Sequence, residues 1–225
     1  MKLEKITSKS AKASRWYDDA CGTAHALELV GERWSLLIVR ELLLGPRRFG
    51  DLKSSLKGIS ANVLTQRLEG LEAAGVAARR KLPPPASVQV YELTDWGMEA
   101  EEAIKSLGRW AARSPDHDPT LPLSAVSFML SMRTMFAADR AGAADLSIGF
   151  LIGEEAFRAR IKDGRLTAER GEAEAPDAVV TASPEELAGF LYVGAPLPPG
   201  AVAGDAEALD RYAALFGLPD KACVV

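Results

Sequence analysis

The chain has 225 residues, 48% apolar and 26% charged, with a formal net charge of −4, the makeup of an ordinary soluble globular protein long enough for two modest cores. No run approaches the ~18 consecutive apolar residues of a membrane-spanning helix, and two cysteines with two histidines cannot assemble a zinc set or a Ser-His-Asp triad. The charge is split: residues 1–114 hold 18 Lys and Arg against 14 Asp and Glu, whereas residues 115–225 hold 9 against 17, which favours nucleic-acid contact in the first half and discourages it in the second.

The first 19 residues are basic and polar and lack the apolar middle of a signal peptide, so a cytoplasmic protein is expected. Two helices follow. The first carries Ala24, Leu27 and Val30 on one apolar face; the second, over residues 34–44, is apolar around most of its circumference and should be buried. Residues 49–75 read as two short helices joined by a tight turn, the grammar of a helix-turn-helix DNA reader. In the second of them Ser60 stands where an N-cap belongs, Leu64, Leu68 and Leu71 recur on one face, and Gly75 falls at the C′ position. The opposite face carries Asn62, Thr65, Gln66 and Glu69, flanked by Arg67, towards the end that would enter a major groove. Asn and Gln pair bidentately with adenine edges, and Arg with guanine or phosphate. The competing reading is an amphipathic helix with a plain polar solvent face. The basic run Arg79, Arg80 and Lys81, a triple proline and a β-rich stretch over residues 88–94 then describe a hairpin wing suited to the phosphate backbone. Thr94 or Asp95 caps a further helix with Ile104, Leu107 and Ala111 on one stripe.

The segments CGTAHALELVGERW, LLGPRRFGDL, GISANVLTQRLEGLEAAG and YELTDWG resemble the HxlR family of winged helix-turn-helix regulators, relatives of the MarR type, over roughly the first half of the chain. The resemblance implies a homodimer on an inverted repeat of double-stranded DNA, with an interface near residues 16–29 and 104–110. It carries DNA contact onto Arg47, Arg48, Ser60, Asn62, Thr65, Gln66 and Arg67. It also makes Cys21 a candidate redox sensor, since some relatives use a cysteine ahead of this helix; the alternative, and the one expected here, is a small buried residue anchoring the helix. Two departures stand out. The wing has Val88 to Val90 where a basic residue often precedes the tyrosine, and Gly22 follows the cysteine where proline is common.

Residues 115–122, rich in Pro and Asp, read as a linker between a winged domain over residues 1–114 and a second domain over residues 123–225. The second domain opens with an apolar helix over residues 123–141. Strands at 145–152, 154–161, 164–171 and 177–182 follow, with Lys162-Asp163-Gly164 as a hairpin turn. Ser183, Pro184 and two acids then open a helix, and a final helix covers residues 205–216. The expected fold is α+β: a mostly helical winged domain plus a small antiparallel sheet with packed helices. The order of short motifs in this half resembles the sterol carrier protein 2 type of domain. That likeness implies an apolar ligand in a tunnel lined by Phe128, Met132, Met135, Phe150, Phe157, Phe190, Tyr192 and Phe216, although the same residues would equally fill a solid core.

These readings converge on a DNA-binding transcriptional regulator with no cofactor, metal or membrane partner, controlled by an apolar small molecule or braced by its second domain. A lipid carrier with a degenerate winged helix is the alternative. An enzyme is disfavoured because no paired acid and base, metal set or phosphate loop is legible.

Overall fold

A computed structural model describes residues 17–223. Helix α1 (Gly22–Val30) leads to α2 (Ser35–Leu42), which buries Ile38, Val39 and Leu42 as its apolar circumference demands. Helix α3 (Phe49–Ser55) and α4 (Ala61–Ala73) follow, joined by a turn in which Gly58 takes φ 91°. Ser60 caps α4 by accepting the Val63 N–H at 3.2 Å, and Leu64, Leu68 and Leu71 enter the core with Leu52, Val76 and Tyr91. The wing is an antiparallel pair, β1 (Ala77–Lys81) and β2 (Gln89–Leu93), with Ala77 opposite Leu93 and Lys81 opposite Gln89. Thr94 caps the single turn α5 (Asp95–Met98), after which α6 (Ala100–Ala112) runs back along α1 and α2, so the one helix expected after the wing is two. Gly97 permits the close approach of α5 to the core, because a Cβ there would lie 2.0 Å from the Val76 carbonyl oxygen.

In the second half, α7 (Ala125–Met135) and α8 (Ala138–Ala141) precede β3 (Leu146–Ile152), β4 (Glu155–Lys162), β5 (Arg165–Arg170), β6 (Ala178–Thr181), α9 (Pro184–Val193), β7 (Val202–Gly204) and α10 (Ala206–Ala213). The helix expected over residues 123–141 is broken at Phe136. This residue leaves helical backbone, pairs as a bridge with Phe216 and stacks its ring 5.8 Å from the Phe216 ring. The hairpin turn stands as expected, with Asp163 at φ 51° and Gly164 at φ 70°.

The sheet order is β5-β4-β3-β6-β7, and the expectation of an antiparallel sheet is corrected at its centre, where β6 lies parallel to β3. The segment after β5 crosses one sheet face close over Gly149, where a Cβ would meet Ala173 at 3.4 Å and crowd the Val179 side chain at 3.3 Å. The other face carries Ile148, Phe150, Phe157, Ala159 and Ile161 into a core closed by α7, α9 and α10.

The two halves are docked through charged side chains. Arg47, on the turn between α2 and α3, donates Nη1 to Glu155 at the start of β4 and Nη2 to Ser55 at 3.2 Å, while its backbone pairs with Tyr91 of the wing. Arg170 of β5 holds the other oxygen of Glu155 at 2.8 Å and donates Nε to the Leu44 carbonyl at 3.4 Å. Arg133 of α7 grips both oxygens of Glu101 on α6, at 2.9 and 2.8 Å. Ser124, the N-cap of α7, donates its hydroxyl at 2.7 Å to Glu41, which is fully buried. Leu44 itself packs in the core of the second half. Residues 220–222 return to the end of α6, where the Lys221 ammonium donates to the carbonyls of Ala112, Ser114 and His117.

Candidate nucleic-acid interface

The core face of α4 fixes which side chains it presents. With Leu64, Leu68 and Leu71 turned inward, Asn62, Thr65 and Gln66 are exposed on the amino-terminal half of the helix and Glu69 one turn further on. Among the described residues, Asn62, Thr65 and Gln66 have no side-chain hydrogen bond within the protein, so their donors and acceptors are open to a partner. Ser60 is exposed at the same end, with its hydroxyl oxygen engaged in the cap. Arg48 is exposed at the start of α3, where its backbone N–H donates to Asp51.

Two arginines expected at the DNA have partners within the protein. Arg47 is only 8% exposed and locked between Glu155 and Ser55. Arg67 points back from α4 to the turn before α2, donating Nε to the Arg33 carbonyl at 3.0 Å and pairing with Glu32 at 2.7 Å. Arg67 thereby satisfies a backbone carbonyl in the turn ahead of α2, whereas Arg47 fastens the start of α3 to the second half.

The wing supplies a basic strand. Arg79 and Arg80 are half exposed and pair with Glu72 at 3.4 Å and Glu92 at 2.7 Å, while Lys81 is exposed and unpaired among the described residues. Exposed ion pairs of this kind are worth only ~0–1 kcal/mol, so either arginine can exchange its carboxylate for a phosphate. Ser87 and Gln89 complete a cleft with these three residues. The antiparallel register, which sets Gln89 across from Lys81, is the signal that would have found it.

Cys21 is exposed at the N-cap of α1 and not buried as expected. The backbone N–H groups of Thr23 and Ala24 favour its thiolate and hold the thiol below the ordinary cysteine value. His25 faces Glu28 at 3.3 Å and not the sulfur.

Seven of the eight residues expected to line a tunnel pack in one core cluster, and the eighth, Met135, is buried outside it. Phe128, Met132, Phe150 and Phe157 are at most 1% exposed, Met135 and Phe216 are buried, and Phe190 and Tyr192 close the same cluster. The Phe128 ring meets the Phe150 ring edge-on at 5.9 Å. The clefts described here open elsewhere, one between the two halves and one along α1, α5 and α6. This second groove is apolar and leaves Leu27, Trp96 and Leu107 each 49% exposed. Among the described residues no His, Cys, Asp and Glu converge as a metal set, and no helix is long and apolar enough to cross a membrane.

The profile of the HxlR-like helix-turn-helix family matches residues 29–118. YvaP, an HTH-type transcriptional regulator of Bacillus subtilis, is 35% identical over 86 residues, 38% of this chain and 80% of its own length. YodB, an HTH-type transcriptional regulator of the same organism, is 33% identical over 86 residues, 38% of this chain and 77% of its length. A regulator of Mycobacterium tuberculosis, Rv3095, is 44% identical over 85 residues, 38% of this chain, and the match spans only about half of that protein, 53%. The structure of reduced YodB aligns with 44% of this chain and 100% of its own at 29% identity and a TM-score of 0.40. With its helix-turn-helix, its two-stranded wing and these relatives, the chain belongs to the HxlR-like helix-turn-helix family of transcriptional regulators.

Proposed function

We propose that the protein regulates transcription as a homodimer bound to an inverted-repeat operator, with the amino-terminal half of α4 read into the major groove and the strand β1 laid along the phosphates. The observation that carries this reading is the open polar edge of Asn62, Thr65 and Gln66 beside the basic strand of Arg79, Arg80 and Lys81. Ser60 and Arg48 join the contacting set from the ends of α4 and α3. Arg47 stays outside it, buried between Glu155 and Ser55, whereas Arg67 joins it by exchanging the exposed Glu32 for a phosphate. Amide side chains read bases, and the wing cations supply sequence-independent affinity.

The apolar groove along α1, α5 and α6 is the dimer surface in this reading; Trp16, part of the segment expected there, lies outside the described residues. Contiguous exposed apolar side chains on a soluble protein mark an interface, and two half-sites one helical turn apart follow from the two-fold axis. The second half, over residues 123–225, is taken as a domain similar to sterol carrier protein 2. Its filled interior favours a brace over a carrier, since the expected tunnel residues already satisfy one another.

The test is anisotropy titration of the full chain against duplexes from upstream of its own gene and against scrambled duplexes at one fixed salt concentration. An operator should bind at least ~1,000-fold more tightly than scrambled DNA. Equal affinity for all duplexes would overturn the reading.

A further inference from the structure

We propose that the DNA face of α4 and the wing masks itself: Glu32, Glu72 and Glu92 are built-in competitors that occupy three of its arginines in the free protein and lower its grip on every duplex. This rests on the operator-binding reading above and adds the regulation of that same surface.

Each carboxylate sits on one cation of the face. Glu32, in the turn before α2, pairs with Arg67 Nη2 at 2.7 Å; Glu72, near the end of α4, with Arg79 Nε at 3.4 Å; and Glu92 of β2 with Arg80 Nη2 at 2.7 Å. Lys81 is the cation of β1 left without an ion pair among the described residues.

A carboxylate beside an arginine either aims it or occupies it. Arg67 separates the two roles, because its Nε already donates to the Arg33 carbonyl at 3.0 Å, which anchors the side chain without Glu32. Its Nη2 alone is taken by the acid. On the wing, Arg80 stands opposite Val90 and Glu92 opposite Ala78, so this pair is diagonal on strands whose ladder is complete without it. The three carboxylates are 22–46% exposed, so water receives each of them once a phosphate takes its arginine.

The exchange has a cost on any sequence. Phosphate contacts release counterions from the duplex, but a carboxylate stripped of its arginine takes one back, and its own charge remains beside the phosphates. The open amides of Asn62 and Gln66 are untouched by this. Sequence-independent grip therefore falls while base reading is kept, and the protein stays where its amides add energy.

Anisotropy titrations of the full chain over a series of salt concentrations, on operator and scrambled duplexes, test the mask. Glu32→Gln, Glu72→Gln and Glu92→Gln keep side-chain shape and remove the charge. Each should tighten binding to scrambled duplex about two- to fivefold, the reach of one exposed ion pair, and steepen the slope of log affinity against log salt by up to ~0.9. The operator should gain by the same factor, leaving the ratio of the two affinities at the parental value. Glu69→Gln is the control: Glu69 is exposed on the same helix with no ion pair among the described residues, so its loss frees no cation and should leave the salt slope unchanged. Circular dichroism should show all four variants folded. Weaker binding by the three paired variants would make the carboxylates guides for the arginines and overturn the mask; so would unchanged binding, or an equal change in slope for Glu69→Gln. Tighter scrambled binding with no operator found overturns the base-reading role of α4 and leaves the mask standing, whereas a selective operator with no gain in the variants does the reverse. Absence of binding to any duplex, in parent and variants alike, overturns both.

Discussion

Arg47 and Arg67 show where local pattern stops informing. Both lie in segments that resemble DNA-contacting ones, yet Arg47 meets a carboxylate 108 positions away and Arg67 a carbonyl 34 positions upstream; no periodicity encodes a partner at that distance. Asn62, Thr65 and Gln66 were legible because their exposure follows from helical spacing against three leucines. For the reading edge, Gln66→Ala should weaken operator binding by ~1–3 kcal/mol while leaving scrambled DNA unaffected, whereas Arg80→Ala should weaken both alike; paired titrations on the two duplexes distinguish them. Cys21 gives a second expectation. With its thiolate favoured by the α1 amino end, the thiol in a Cys223→Ser background should be alkylated by iodoacetamide at half its limiting rate below the ordinary cysteine value of ~8.5. A midpoint at or above that value would remove any special reactivity.

At the level of elements, α2, α4, α9 and the wing follow from caps and periodicity, and each cap written in the sequence is made: Ser60 to Val63, Thr94 to Gly97 and Ser183 to Glu186. What escaped was set by distant strands. Phe136 breaks α7 to pair with Phe216, β7 is a three-residue edge that only β6 makes recognisable, and the parallel join of β3 to β6 depends on a crossover that no local signal describes. Packing tolerance is tested at Gly97. Gly97→Ala places a Cβ against the Val76 carbonyl and should cost more than the ~0.5–3 kcal/mol of an average substitution, read as a lowered denaturant midpoint. The α1 and α6 surface is tested by Leu107→Glu. This side chain is half exposed in the protomer, so the variant should keep its fold and elute as a monomer in light scattering, while parent protein at micromolar concentration is a dimer.

For the molecule as a whole, the joint between the halves has a defined response to acid. Burial alone would raise the Glu155 carboxyl, but the guanidinium groups of Arg170 and Arg47 outweigh it and hold the group below its usual range. A carboxyl depressed in the folded state stabilises above the unfolded value of ~4.3 and ceases to do so as pH falls through the folded value. Docking should therefore loosen only below about pH 4. Glu155→Gln strands two arginines and should lower stability at neutral pH by ~1–3 kcal/mol, less than for a fully buried pair because Glu155 is 28% exposed. Melting curves from pH 7 to 3 should show the parent approaching the variant at the acid end. Leu44 carries the remaining consequence. It lies inside the stretch matched to the family, residues 29–118, yet its side chain is counted in the core built by residues beyond it. The winged module of this chain is thus not an excisable cassette: cutting after residue 118 would bare Leu44, take the carboxylate from Arg47 and leave Glu101 only Lys105. A truncated reader grafted onto another protein would carry a sticky, charged scar where its neighbour had been.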